Sequence, residues 1–116
     1  MLNQEASVRF SEKNSTLVAD LSGDIDHHSA FRVREKIDME LYARRPQTLV
    51  LSLANVSFMD SSGLGLILGR MNKANEVDAD FILADPSPQI EKILDLAGIE
   101  RMIKIERNEK NEKIPG

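Results

Sequence analysis

The sequence predicts an α/β fold: a mixed, mostly parallel sheet of four or five strands with three or four helices packed on it. Three observations carry this. Short apolar strands alternate with segments of helical periodicity, the order that yields parallel crossovers. Leu49-Val50-Leu51-Ser52-Leu53 is nearly continuous in apolar residues, as a central strand covered on both faces would be. Helix-capping residues also stand where strands end, at Asp26, Asp60 and Ser87.

The elements follow in order. Ala6, Val8 and Phe10 alternate with polar neighbours and predict an edge strand. Ser11–Ser15 reads as a polar turn, and Leu17, Ala19 and Leu21 mark the inward face of the next strand, completing a hairpin. Gly23-Asp24-Ile25-Asp26-His27-His28-Ser29 is expected to break that strand and open a helix, capped by Asp26 or Ser29. Ala30, Val33, Ile37 and Leu41 recur at helical spacing; Arg44 and Arg45 suit the negative end and Pro46 stops the helix.

After the Leu49–Leu53 strand comes Ser57-Phe58-Met59-Asp60-Ser61-Ser62-Gly63-Leu64-Gly65, which leads into a helix reaching about Asn75. Leu64, Ile67, Leu68 and Met71 predict its buried stripe, with Gly63 and Gly65 on the opposite side, open to close approach by another body. Phe81–Ala84 is a further strand; Ser87 caps a helix with Pro88 at its first position, and Gly98 ends it. Ile99, Met102, Ile103 and Ile105 suggest a last strand. The whole chain, 1–116, reads as one domain, with residues from about 108 a charged tail that frays or forms a terminal helix.

Composition narrows the function classes. With 116 residues, 41% hydrophobic and 29% charged, the chain can bury a sizeable core. The absence of cysteine excludes disulfides and thiolate metal sites. No apolar run approaches the roughly 20 residues of a membrane span, and Met1–Glu5 lacks a signal-peptide start, so no membrane association and a cytoplasmic location are expected. A net charge of −4, with one Tyr and no Trp, argues against nucleic acid as a partner.

The chemistry concentrates at Asp60-Ser61-Ser62-Gly63. One cap needs one side chain, yet three compete for the position, so a hydroxyl is left over. It would stand at the positive end of a helix, where an added phosphate meets free N–H groups. A G-x-S-x-G nucleophile elbow and a Gly-Lys-Ser/Thr phosphate loop are both missing, so neither a serine hydrolase nor a nucleotide-binding P-loop is indicated. Asp26-His27-His28 offers ligand types for a metal, but neighbouring histidines at a helix start diverge and no further ligand cluster accompanies them. If the strands ending near Leu21, Leu53 and Ala84 run parallel, Asp24, Asp26, Asp60, Asp85, both histidines and Ser61 share the sheet's carboxyl edge.

The run Phe58-Met59-Asp60-Ser61-Ser62-Gly63-Leu64-Gly65, preceded by Gly23-Asp24-Ile25-Asp26-His27-His28, resembles the STAS-domain anti-sigma factor antagonists, in particular their sporulation branch. The resemblance extends from Ser7 to about Arg107 in the same order of elements. It implies a STAS-like fold and a regulator without catalytic residues, cofactor or metal, working by partner switching. The serine after the motif's aspartate, Ser61 here, would be phosphorylated by an anti-sigma factor that is itself a serine kinase using ATP. A serine phosphatase would remove the phosphate. Asp24, Asp26, Asp60, Ser62, Gly63 and Gly65 would form the partner-binding surface. The alternative is a phosphoaspartate receiver with Asp60 as acceptor.

Overall fold

The computed structural model describes residues 5–107. Strands β1 (Ser7–Lys13) and β2 (Thr16–Ile25) form the hairpin, followed by α1 (His27–Arg44), β3 (Thr48–Met59), α2 (Ser61–Glu76), β4 (Asp80–Ala84) and α3 (Pro88–Leu96). A 3₁₀ turn over Ile99–Arg101 and β5 (Lys104–Glu106) complete the described chain. The strands lie in the order β1-β2-β3-β4-β5, with β1 antiparallel to β2 and every other pair parallel. This is the mixed α/β architecture expected from the alternation of elements.

The core forms where the strand periodicity and the parallel register coincide. Leu17 pairs with Leu49, Ala19 with Leu51, and Leu51 in turn with Leu83, so these fully buried side chains sit side by side on one face. Helix α1 adds Ala30, Val33, Ile37 and Leu41, all buried, which is the stripe its spacing predicts. Each of the larger aliphatic side chains contributes roughly 1.5–3 kcal/mol when removed from water. The two faces of β3 differ, however. Leu49, Leu51 and Leu53 are completely buried, whereas Val50 and Ser52 are only half-buried, so the second face is covered in part.

Several boundaries depart from expectation, each for a local reason. The hairpin turn is two residues, not five: Lys13 still pairs with Thr16, and Asn14 and Ser15 take φ of 51° and 62°. Positive φ at both central positions matches the right-handed twist of the flanking strands. The break expected at Gly23 is a bulge: Gly23 adopts φ of 90°, the register shifts between Gly23 and Asp24, and β2 continues to Ile25. Residues 55–59, beyond the strand end expected near Leu53, extend β3 because β2 runs beside them, pairing Asp24 with Phe58 and Ile25 with Met59. Ile99, expected in the last strand, lies in the 3₁₀ turn. The expected charged tail, residues 108–116, lies outside the described residues.

These extensions place the site. β2 and β3 project together past the rest of the sheet and both hand over directly to helices. β4 ends at Ala84 opposite Ser52, seven residues before Met59, which at strand rise is on the order of 20 Å short. Asp85 therefore does not join Asp24, Asp26 and Asp60 at one edge. Its N–H instead donates to the Glu106 carbonyl at 2.9 Å.

Candidate functional site

Two helix N-termini stand side by side at the projecting tip. The Asp60 N–H donates to the Ile25 carbonyl at 3.3 Å, tying the start of α2 to the end of β2. Asp26 caps α1 and Asp60 caps α2, one residue after strand partners Ile25 and Met59. Positive helix ends thus converge on a surface that carries three carboxylates, Asp24, Asp26 and Asp60.

At α2 the competition among cap candidates is resolved. The Asp60 carboxylate accepts from the Ser62 N–H at 2.8 Å, and the Asp60 carbonyl accepts from the Gly63 N–H at 2.9 Å. Neither serine hydroxyl is needed for the cap. Ser61 is exposed at the first helical position, and its hydroxyl has no hydrogen-bond partner among the described residues. Ser62 is half-buried.

At α1 the cap is reciprocal. The Ser29 N–H donates to Asp26 Oδ1 at 3.0 Å, while the Asp26 N–H donates to Ser29 Oγ at 3.1 Å, a capping box with serine at its third position. Ser29 is fully buried, and its hydroxyl also reaches the Asp24 carbonyl at 3.2 Å. These Ser29 bonds, with smaller help from His28, hold the Asp26 carboxyl below the usual aspartate value. Both alternatives for this cap, Asp26 and Ser29, therefore act together.

The glycines need a correction. Gly63 does not face outward: it is buried, and a Cβ there would lie 2.6 Å from Met59 Cβ. It lets α2 start directly against the last residue of β3. Gly65 is exposed, and a Cβ at this position would meet nothing within 4 Å, as expected for an open backbone. The buried face of α2 is correspondingly turned from the predicted stripe. Gly63, Leu66, Ile67, Arg70 and Ala74 are buried, while Leu64, Leu68 and Met71 pack against the core only in part.

The structure adds a feature that was missed in the sequence. Between the first turns of α1 and α2 lies a groove of about 340 Å³ whose walls include Phe31 and Arg34 on one side and Ser62, Gly65 and Leu66 on the other. Phe31 is 56% exposed and Phe58, near the start of α2, is 48% exposed. Two exposed rings among only four Phe were the available signal, since a helix wheel places Phe31 off the α1 core stripe. Among the described residues no three His, Cys, Asp or Glu side chains are grouped to hold a metal ion.

The chain is similar to known proteins in sequence and in fold. Residues 7–112 match the STAS domain. The chain is 36% identical over 104 residues to the anti-sigma F factor antagonist of Paenibacillus polymyxa, covering 90% of this chain and 89% of that one. It is 39% identical over 84 residues to the anti-sigma F factor antagonist of Lysinibacillus sphaericus, covering 72% of each. The solved structure of the anti-sigma factor antagonist SpoIIAA in its unphosphorylated form superimposes with a TM-score of 0.74 at 31% identity, over 90% of this chain and 92% of that one. The phosphorylated form of SpoIIAA from Bacillus gives a TM-score of 0.68 at the same 31% identity, over 90% of this chain and 96% of that one. A receiver with Asp60 as acceptor is not favoured by these likenesses, and the Asp60 carboxylate is already engaged at the helix cap. The chain belongs to the STAS-domain family of anti-sigma factor antagonists.

Proposed function

We propose that Ser61 is the phosphoacceptor of a partner switch. The unphosphorylated chain binds an anti-sigma factor that is also a serine kinase and so frees a sigma factor, here one controlling sporulation. Phosphorylated at Ser61, it releases that partner until a serine phosphatase resets it. The chain itself acts without catalysis, in the cytoplasm, and without nucleic acid. Asp24, Asp26, Asp60, Ser62 and Gly65 belong to the docking surface; buried Gly63 supports it from beneath.

One observation carries the reading: Asp60 alone caps α2, which leaves an exposed, unengaged hydroxyl at its first position. Phosphate there adds about −1.5 to −2 charges. The helix end favours a negative charge by roughly 0.3–1 kcal/mol on an exposed site, so the modification leaves the fold standing. Its penalty falls on a partner that must approach an already acidic edge, where like charges at an interface cost several kcal/mol. SpoIIAA, solved in both phosphorylated and unphosphorylated forms, resembles this chain in each, which supports a switch that does not work by unfolding.

The test is intact mass after incubation with ATP and the anti-sigma factor kinase, followed by peptide mapping. One phosphate on Ser61 is expected, and none in Ser61→Ala, which keeps binding. Ser61→Asp should weaken binding while moving the melting temperature by no more than about 2 °C. Phosphate that persists in Ser61→Ala overturns the assignment.

A further inference from the structure

The seam between α1 and α2 carries a charge imbalance that the fold does not resolve. Arg70 of α2 is 3% exposed and meets Asp38 of α1, Nε to Oδ1 at 2.8 Å. Its Nη1 is buried without a hydrogen-bond partner. Arg34 stands one turn before Asp38 on the same helix and opposes the Arg70 charge. Burial chiefly, with Arg34 adding to it, pulls the Arg70 pKa down against the attraction of Asp38. Arg34 in turn has only a 3.8 Å contact with its neighbour Glu35, on an exposed helix surface. Such a pair contributes little. Asp38 is thus taken by Arg70, and Arg34 is left with only the long contact to Glu35, in a chain whose net charge is −4.

Arg34 also forms one wall of the groove that Ser62 lines. Its Cζ lies 4.8 Å from the centre of the exposed Phe31 ring; Ala30, Gly65 and Leu66 complete an apolar floor, and His27 and Ser62 are the remaining lining residues. The site therefore pairs an apolar floor with a cation that lacks a strong partner. That combination is complementary to a carboxylate carried on a short hydrocarbon stem.

We propose that this groove seats an acidic side chain, Asp or Glu, of the anti-sigma factor kinase, its carboxylate paired with Arg34 and its stem against Phe31 and Leu66. The proposal rests on the reading of Ser61 as the switch at a docking surface and says how the switch acts. Ser62 lines the groove and Ser61 is its exposed neighbour at the same helix end, so a phosphate on Ser61 adds its charge to the surface the partner must approach. That charge repels the incoming carboxylate. Phosphorylation then removes one specific contact as well as adding general repulsion.

The experiment measures binding of the unphosphorylated full chain to the anti-sigma factor kinase by calorimetry, with thermal melts of each variant alongside. Arg34→Glu should weaken binding at least tenfold, Arg34→Gln by several-fold, and Arg34→Lys least of the three. Arg34→Gln should also flatten the salt dependence of the affinity. Reversing one acidic residue of the kinase to Arg should restore binding to Arg34→Glu and to no other variant. If wild type binds while folded Arg34→Gln and Arg34→Glu bind within twofold of it, the groove assignment is wrong and the Ser61 reading stands. If the wild-type chain forms no complex at all, it is the Ser61 reading that fails.

Discussion

Gly63 and Gly65 lie two residues apart on one helix, and alanine should affect them in opposite directions. At Gly63 a methyl group would sit 2.6 Å from Met59 Cβ and 3.0 Å from Met59 Sδ. The Cβ contact decides the outcome, because Met59 Cβ is fixed to the last residue of β3 and cannot swing away as the sulfur can. Forcing a methyl into such a site costs about 1–3 kcal/mol. The intrinsic preference of a helix for Ala over Gly returns at most about 1 kcal/mol. A 2.6 Å approach to a fixed Cβ belongs at the upper end of that cost, about 2–3 kcal/mol, so Gly63→Ala should destabilise by about 1–2 kcal/mol net, which for a chain of this length lowers the melting temperature by roughly 4–8 °C. At Gly65 no atom lies within 4 Å of the added methyl, so only the helix preference acts. Gly65→Ala should stabilise by about 0.5–1 kcal/mol. Urea midpoints and thermal melts of both variants measure the pair. Equal effects at the two positions, or a Gly63→Ala as stable as wild type, would refute the argument that α2 begins in direct contact with Met59.

Two further predictions concern the helix pair. Asp38→Asn leaves the buried Arg70 guanidinium without its counter-charge and should cost about 3–5 kcal/mol, whereas Asp38→Leu with Arg70→Met should fall near wild type; a double-mutant cycle by urea unfolding reads the difference. The Asp26 carboxyl, held below its ordinary value by the Ser29 cap, adds stability that is present above the unfolded-state pKa and is lost as pH falls through the lower folded-state pKa. Asp26→Asn keeps a capping oxygen but cannot titrate, so its stability gap to wild type should shrink progressively below about pH 4, as followed by urea midpoints.

How much of this was readable in the residues depended on distance along the chain. Caps and turns are local, and Asp26, Asp60, Ser87 and Pro88 stand where their chemistry predicts. The α1 stripe is also local, and all four of its positions are buried. The rotation of α2 was not readable from α2 alone. Leu64, Ile67, Leu68 and Met71 make a plausible buried stripe until Arg70 is known to be buried, and Arg70 is buried because Asp38 arrives from another helix. With Arg70 inside, Gly63, Leu66 and Ala74 turn inward as well. The extended tips of β2 and β3 were hidden for a similar reason. Gly23, Asp24, Asn55 and Ser57 look like loop residues, yet each tip has the other as its pairing partner.

That mutual pairing also explains why a covalent change can be confined to one surface. Asp60 is fixed from behind by the Ile25 carbonyl and from within by the Ser62 and Gly63 amides, and none of these bonds passes through the Ser61 side chain. Beneath them Met59 and Gly63 are in contact, so α2 has little room to shift toward the sheet in response to charge at its tip. A hydroxyl on such a mount can gain or lose a dianion while its backbone stays in place. The change in free energy is then felt by whatever must sit opposite it, and the adjoining groove that Ser62 lines offers that partner a weakly paired cation, Arg34.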